Sequence, residues 1–165
     1  LKIVTIIEAR TGSTRLPNKI LYPGKKKSLF ELLLERVQFS RNGNYVVVAT
    51  TNNEEDDVIE CLCMKGKINC YRGHATDLLD RHYKAAIEYK ADIVVKIPSD
   101  CPLIDPNIID RVIEYYLDNM NNYDYVSNLH PATYPDGNDV EALGLRTRLG
   151  RTGRSGLEPD GDGAL

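Results

Sequence analysis

Residues 3–19 read IVTIIEARTGSTRLPNK, an apolar run followed at once by a polar, cationic loop. The run is short, rich in β-branched residues and uncharged until Glu8, which is typical of a buried β-strand. The charged and small residues of the loop are Arg10, Gly12, Ser13, Arg15 and Lys19. Backbone N–H groups near the glycine suit a concave anion site, and the three cations supply the charge that a triphosphate requires. The loop is therefore predicted to bind phosphate. Its glycine spacing differs from the Walker pattern, and a solvated polar turn is the alternative.

Apolar runs and helix-like segments alternate along the rest of the chain. Further strands are predicted at Tyr45–Ala49, Ile68–Tyr71, Ile93–Ile97 and Tyr123–Ser127. Helices are predicted at Ser28–Val37, Asn53–Met64, Thr76–Tyr89 and Asn107–Asn119. Ser28 and Glu31 fit a capping box at the start of the first helix. The alternation predicts a mostly parallel sheet with helices on both faces, and ligands are expected beyond the carboxyl ends of its strands.

Composition narrows the classes of function. The chain has 165 residues, 42% of them hydrophobic, with a formal net charge of -3, which fits one globular domain. Lysine and arginine are scattered, which argues against a nucleic-acid-binding face, and no apolar run is long enough to span a membrane. The four cysteines lack CxxC spacing and are predicted to be free thiols in a reducing compartment. A cytoplasmic protein with a small anionic ligand is expected.

The loop motif RxGSTRLPxK after an apolar strand resembles the signature of the cytidylyltransferases that activate acidic sugars. Further matching blocks follow in order. They are Val48–Thr51, Arg72–Gly73, Leu79–Arg81, Ser99–Asp105 and Tyr134–Glu141. The resemblance covers about residues 2–141 and is strongest to the spore coat polysaccharide biosynthesis protein F branch, within a family that includes acylneuraminate and CMP-KDO synthetases.

The resemblance implies a three-layer α/β/α, Rossmann-like fold of the nucleotide-diphospho-sugar transferase kind. It also implies transfer of CMP from CTP to an acidic sugar for cell-surface or spore-coat polysaccharide, with release of pyrophosphate and Mg²⁺ as cofactor. The implied catalytic residues are Arg10 and Lys19, and the implied metal ligands are Asp100 and Asp139. The implied nucleotide-binding residues are Ala9, Gly12, Ser13, Arg15, Thr50, Thr51, Asp80 and Arg81.

Several of these residues have a structural alternative. Thr50 and Thr51 follow a strand, where hydroxyls also cap the next helix. Asp80 and Arg81 lie within a predicted helix, where neighbouring charges often form only surface ion pairs. Asp100 lies two residues before Pro102 and suits a turn or a helix cap. Asp105 is predicted to be the N-cap of the helix that begins near Pro106, and Arg15 either binds phosphate or braces its loop.

Glu8, Thr11 and Asn18 stand where the family usually has glutamine, methionine and glycine. Glu8 is expected to repel a triphosphate and lower CTP affinity unless it turns away or pairs with Arg10 or Lys19. Two alternative functions stay open. One is a non-catalytic or degenerate nucleotide-binding domain, and the other is a nucleotidyltransferase that uses UTP or GTP.

After Leu145 the sequence changes abruptly to RTRLGRTGRSG, rich in arginine and glycine without helical or strand period. Suitable codons for this stretch, read one base later, would give Leu-Glu-His-Ala-Trp-Glu-Glu-Leu-Ala-Glu-Ala. That peptide is amphipathic and similar to the helix that the family has at this position, which suggests a frameshift. Residues 1–145 are therefore expected to form a nucleotidyltransferase domain, truncated relative to the family, and residues 146–165 a disordered tail. A homodimer is the expected assembly.

Overall fold

The computed structural model describes residues 1–12 and 16–145. They form a six-stranded sheet in the order β3-β2-β1-β4-β6-β5. The strands are β1 Ile3–Glu8, β2 Val46–Thr51, β3 Asn69–Gly73, β4 Ile93–Pro98, β5 Tyr125–Ser127 and β6 Glu141–Gly144. The helices are α1 Leu29–Gln38, α2 Asp57–Gly66, α3 Leu78–Glu88 and α4 Pro106–Asn119, with short 3₁₀ turns at Lys19–Leu21 and Glu54–Asp56. Strands β1 to β4 are parallel, and β6 runs antiparallel to β4 and β5.

The predicted fold class is confirmed, with one strand missed. Five predicted strands and four predicted helices are present, with ends shifted by a few residues. The missed strand is β6, a four-residue segment that begins with Glu141 and ends with Gly144. A charge and a glycine in so short a run hide the strand pattern. Its partners, β4 on one side and β5 on the other, define it in the fold.

Two helix starts follow from local capping chemistry that the sequence predicts. The Ser28 hydroxyl accepts from the Glu31 backbone N–H at 3.2 Å, and the Glu31 carboxylate accepts from the Ser28 N–H at 2.9 Å. This is the predicted capping box. Asp105 is the N-cap of α4, since its carboxylate accepts from the Asn107 N–H at 2.9 Å. Side-chain caps of this kind satisfy backbone donors that a helix start leaves unpaired.

The two faces of the sheet are covered unequally. Helices α1, α2 and α4 pack their buried residues into one apolar cluster on the first face. Among the described residues, α3 is the helix on the second face, where Ala85 and Ala86 pack against β1, β2 and β4. The prediction of helices on both faces is confirmed. The second face of β6 and β5 has no helix over it in the described part of the chain.

A buried carboxylate fixes the loop between α1 and β2. Asp110 of α4 is 3% exposed and accepts from the Ser40 hydroxyl at 2.7 Å, from the Asn42 N–H at 2.9 Å and from the Arg41 N–H at 3.2 Å. Burial raises the pKa of Asp110, but these hydrogen bonds outweigh it and the net pKa is lowered. The charged form of Asp110 is therefore stabilised by the folded state.

Asp110→Asn is expected to lower the free energy of unfolding by about 1.5–3 kcal/mol at pH 7, since it weakens hydrogen bonds to a charged group. A carboxyl group whose pKa is lowered by folding contributes to the free energy of unfolding at pH values above its unfolded-state pKa. This contribution is lost as the pH falls toward the folded-state pKa. The difference between the two proteins should therefore shrink below pH 3.8. Urea unfolding followed by circular dichroism measures it. Asp118→Asn, at an exposed position of the same helix, is the control, and an equal loss there would contradict the assignment.

Candidate active site

The loops at the carboxyl edge of the sheet bring Lys19 and Asp100 together. The Lys19 ammonium donates to the Asp100 carboxylate at 2.8 Å, and the two side chains are 33% and 53% exposed. Lys19 follows β1 and Asp100 follows β4, the strand that pairs directly with β1. Adjacent parallel strands end side by side, which explains why residues 81 positions apart meet here. A predicted catalytic residue and a predicted metal ligand are thus in contact.

Two more carboxylates lie in the same region as Asp100. Asp100, Asp136 and Asp139 line a cavity of about 380 Å³ together with neighbouring residues of the loops after β4 and before β6. The pKa of Asp139 is raised, first by burial and then by the negative charges of Asp136 and Asp100. A carboxylate destabilised by its neighbours in this way is one that a bound cation would relieve.

A network of amide hydrogen bonds positions the loop that carries Asp139. The Asn138 carboxamide oxygen accepts from the Asp105 N–H at 3.0 Å, which ties the loop to the start of α4. Asn128 donates its amide to the Asn138 carbonyl at 2.7 Å and accepts from the Val140 N–H at 2.9 Å. Gly137 has a φ of 91°, a conformation that side chains disfavour. The Asp139 backbone is therefore fixed on both sides.

The loop after β1 is anchored by a buried aspartate. Asp56, fully buried, accepts from both the N–H and the hydroxyl of Thr11 at 2.7 Å, and from the Thr51 hydroxyl through its other oxygen. The Asn18 N–H donates to the Thr11 carbonyl at 3.0 Å and closes the loop. Asn18 has a φ of 57°, a backbone conformation that glycine adopts freely and that asparagine also tolerates. Asparagine can therefore stand at the position where the family resemblance gives glycine. The predicted residues Ser13 and Arg15 lie outside the described residues.

The other predicted residues of this loop within the described part of the chain are Ala9, Arg10 and Gly12. Ala9 is 1% exposed and its N–H donates to the Ala49 carbonyl at 3.2 Å, so its nucleotide contact stays a prediction. Arg10 and Gly12 are exposed at the same edge. No hydrogen bond or ion pair of the Arg10 side chain occurs within residues 1–12 and 16–145. An anion contact by the Arg10 guanidinium stays a prediction.

The two threonines at the end of β2 differ. The Thr51 hydroxyl donates to Asp56 and accepts from the Asn53 N–H at 3.2 Å, so it braces the loop. It does not cap a helix, because Asn53 and Asp56 are the N-cap residues of the next 3₁₀ turn and of α2. The Thr50 side chain is fully buried, and its hydroxyl has no partner among the described residues. Buried hydroxyls are usually hydrogen-bonded. Nucleotide contacts by either side chain stay predictions.

Asp80 and Arg81 belong to different interactions. Asp80 pairs with Lys84 one turn along α3 at 3.0 Å. Arg81 is 2% exposed and donates to the Glu8 carboxylate at 2.7 Å and to the His74 carbonyl at 2.5 Å. Glu8 therefore pairs with neither of the cations expected, Arg10 or Lys19. Its charge is offset by a buried guanidinium, so the expected repulsion of a triphosphate is reduced.

Glu8→Gln is expected to lower the free energy of unfolding by about 1–3 kcal/mol, because it leaves the buried Arg81 guanidinium without a counter-charge. Its effect on nucleotide affinity should be smaller than tenfold, since the charge it removes is already offset. Glu35→Gln, which breaks an exposed pair with Lys27, is the matched control and should change stability by no more than about 0.5 kcal/mol. Urea unfolding and calorimetry measure the two effects. Unchanged stability with much tighter binding would contradict the pairing.

Comparison with known proteins identifies the class. The family model described as cytidylyltransferase matches residues 4–140, and the chain belongs to this family. A cytidylyltransferase structure from Leptospira borgpetersenii is 38% identical and superposes with a TM-score of 0.85 over 88% of this chain and 61% of that one. The structure of CMP:2-keto-3-deoxy-manno-octonic acid synthetase complexed with CTP is 18% identical with a TM-score of 0.69, covering 87% of this chain and 74% of that one, a likeness of fold.

Curated relatives are longer than the region they share with this chain. An uncharacterized protein of Methanocaldococcus jannaschii is 44% identical over 127 residues, which is 77% of this chain and 51% of that protein. The spore coat polysaccharide biosynthesis protein SpsF of Bacillus subtilis is 34% identical over 130 residues, 76% of this chain and 54% of that protein. The chain therefore spans about half the length of the curated relatives it matches.

Three residues of the edge have no role in the sequence analysis, although Arg72 and Asn138 lie in blocks that match the family. Asp56 anchors the loop after β1, but it stands in a run of four acidic residues that resembles an ordinary helix start. Arg72 braces the end of β2 by donating to the Thr51 carbonyl at 3.0 Å and to Asp57 at 2.5 Å. Asn138 lies within a matched block without an assigned role. Within the four acidic residues at positions 54–57, the sequence gives no signal that Asp56 is the buried one.

Proposed function

We propose that this chain binds CTP at the carboxyl edge of its sheet and transfers CMP to a sugar hydroxyl with release of pyrophosphate. The observation that carries the proposal is the contact of Lys19 with Asp100, beside Asp139, in a member of the cytidylyltransferase family. A cation, two carboxylates and an exposed arginine at one strand edge suit a nucleoside triphosphate with its metal.

The residues present fit Mg²⁺. Asp100 and Asp139 would hold it, because hard oxygen ligands suit it and one or two carboxylates plus phosphate oxygens complete its usual shell. Among the described residues, no group of three or more His, Cys, Asp or Glu could hold a metal ion. When bound, Mg²⁺ supplies charge that offsets the phosphates of the nucleotide.

The chain's own residues would act mainly by position and charge. Lys19 is drawn from Asp100 to a phosphate oxygen when the nucleotide arrives, and an exposed ion pair of this kind costs little to rearrange. The Arg10 guanidinium offers parallel donors to the phosphates. Together they offset the negative charge that grows on the α-phosphate as the sugar hydroxyl attacks and the bond to pyrophosphate breaks.

The finer parts of the proposal rest on the likeness to relatives. An acidic sugar and a role in cell-surface or spore-coat polysaccharide are supported by the kinship with SpsF and with enzymes named 3-deoxy-manno-octulosonate cytidylyltransferase. A cytoplasmic location is proposed with them. No helix in the described part of the chain has the length and apolar character needed to cross a bilayer. A homodimer is also part of the proposal. The alternative functions are a nucleotidyltransferase that uses UTP or GTP and a domain that binds nucleotide without turnover.

Calorimetric titration of the chain with CTP, UTP, GTP and ATP, with and without Mg²⁺, tests the proposal. Tighter binding of CTP that depends on Mg²⁺ supports it, and pyrophosphate release with a panel of acidic sugars then tests turnover. Binding without pyrophosphate release would favour the degenerate alternative. A folded chain that binds no nucleotide would exclude the proposed function.

A further inference from the structure

Two of the cysteines lie opposite each other between α2 and β3. Cys63 is in the last turn of α2 and is fully buried, whereas Cys70 is the second residue of β3 and is half-buried. The Ile68 N–H donates to the Cys63 carbonyl at 2.9 Å, so the chain turns directly from the end of α2 into the strand. Cys63 belongs to the apolar cluster on the first face of the sheet, and Cys70 packs against that cluster. The two thiols therefore share one interface.

The register of β3 explains why Cys70 points toward α2. Cys70 pairs with Val48 of β2, and paired residues of adjacent strands direct their side chains to the same face. Val48 lies in the apolar cluster that also contains Cys63. A second contact crosses the same interface, since Arg72 of β3 donates to the Glu60 carboxylate of α2 at 3.0 Å. Glu60 precedes Cys63 by about one helical turn. Arg72 follows Cys70 by two strand positions, so the two contacts join the same faces of α2 and β3.

The two thiols are in direct contact and differ in acidity. The Cys63 thiol donates a hydrogen bond to the Cys70 sulfur, and this bond is the main cause of two opposite pKa shifts. It raises the pKa of Cys63, and burial adds to the rise. It lowers the pKa of Cys70 against the effects of burial and Glu60, and the charge of Arg72 lowers that pKa further. Cys70 is therefore the thiol that ionises first, and the thiolate is the nucleophile in cysteine chemistry.

We propose that Cys63 and Cys70 form a reversible disulfide when the folded chain meets hydrogen peroxide. The Cys70 thiolate attacks one oxygen of the peroxide, the O–O bond breaks, and hydroxide leaves with the proton that Cys70 released, so that Cys70 becomes a sulfenic acid. The Cys63 sulfur then attacks the Cys70 sulfur, the S–O bond breaks, and the hydroxide that leaves takes the Cys63 proton. The two sulfurs lose two electrons in total, and the peroxide is reduced to two molecules of water.

Oxidation of Cys70 also favours the second step. The negative charge of Cys70 is among the causes that raise the pKa of Cys63. That charge is lost when Cys70 becomes a neutral sulfenic acid, so Cys63 releases its proton more easily. Because the two sulfurs are already in contact, closing the bond requires little movement of α2 against β3. Cys70 lies near the start of β3, away from the carboxyl edge of the sheet, so the disulfide does not depend on the proposed nucleotide chemistry.

Peptide mapping after peroxide treatment tests the proposal. The reduced chain is treated with hydrogen peroxide, its remaining thiols are blocked with iodoacetamide in urea, and the chain is cut with trypsin. Cleavage after Lys65 and Lys67 separates the two cysteines, so a bond between them joins two peptides. Cys61 is exposed and shares the peptide of Cys63, and Cys61→Ser is therefore the matched control. We expect the joined peptides in the unchanged chain and in Cys61→Ser but not in Cys70→Ser, and dithiothreitol should restore the free thiols.

Two further measurements show whether the fold directs the pairing. In the folded chain, the bond of Cys70 to Cys63 should exceed its bond to Cys61 by about tenfold or more, and this preference should disappear in urea, where loop length alone governs pairing. Cys63→Ala, an apolar change whose folding circular dichroism checks, should accumulate a sulfenic acid at Cys70 that dimedone traps. Loss of the joined peptides in Cys61→Ser, equal pairing of Cys61 and Cys63 in the folded chain, or conversion of Cys70 to sulfinic acid in the unchanged chain would overturn the proposal.

Discussion

Asp100→Asn is expected to abolish the dependence of CTP binding on Mg²⁺ and to lower pyrophosphate release by at least about 10³-fold, if the proposed function is correct. The amide removes the negative charge that would hold the metal, and Asp139 then offers one carboxylate where two are proposed. Calorimetry and a pyrophosphate assay measure the two effects. In Asp100→Asn, turnover should fall much more than the affinity for CTP measured in the absence of metal.

The Lys19 contact adds a second signature to this variant. Asp100 accepts from the Lys19 ammonium at 2.8 Å, so removal of its charge frees the lysine for phosphate. Binding of CTP in the presence of a chelator should therefore be equal to or tighter than in the unchanged chain. Asp136→Asn, in the same cavity but not assigned as a ligand, should reduce turnover by less than tenfold. Retained Mg²⁺ stimulation in Asp100→Asn would show that the metal has other ligands.

The parts of the fold that could be predicted are those that depend on residues close together in the sequence. The buried strand before the loop, the Ser28 capping box and the Asp105 cap each depend on residues a few positions apart, and all three are present. Parallel order then follows from alternation of strands with helices. The ends of the strands could be predicted from the same alternation. The edge of the sheet where Lys19 meets Asp100 could therefore be predicted too.

Long-range side-chain pairing could not be predicted. The Glu8 carboxylate meets Arg81 across 73 positions of sequence, and nothing in the local sequence distinguishes that partner from the nearer Arg10. Packing decides, because α3 lies on the face of the sheet to which Glu8 points. Strand β6 was missed for a related reason, since four residues are too few for a pattern and its neighbours β4 and β5 supply the pairing.

Lys19→Ala is expected to lower pyrophosphate release by about 10²–10³-fold, the range found when one preorganised donor to a developing negative charge is removed. CTP affinity should fall as well, because the ammonium contributes in the ground state. Binding of Mn²⁺ alone should become tighter, since Asp100 no longer has a cation at 2.8 Å that competes for it. This opposite change in metal and nucleotide affinity is the mirror image of the Asp100→Asn result.

The reciprocal pattern separates a shared catalytic edge from an ordinary surface ion pair. An exposed pair with no ligand contributes at most about 1 kcal/mol to stability and nothing to binding. Lys27→Ala is the matched control, because Lys27 forms an exposed pair with Glu35 at 2.7 Å on α1 and is expected to change neither metal nor nucleotide binding. If Lys19→Ala behaves like Lys27→Ala, the contact with Asp100 is only structural. If Lys19→Ala and Asp100→Asn shift the two affinities in opposite directions, the same two side chains must be released from each other to hold phosphate and metal.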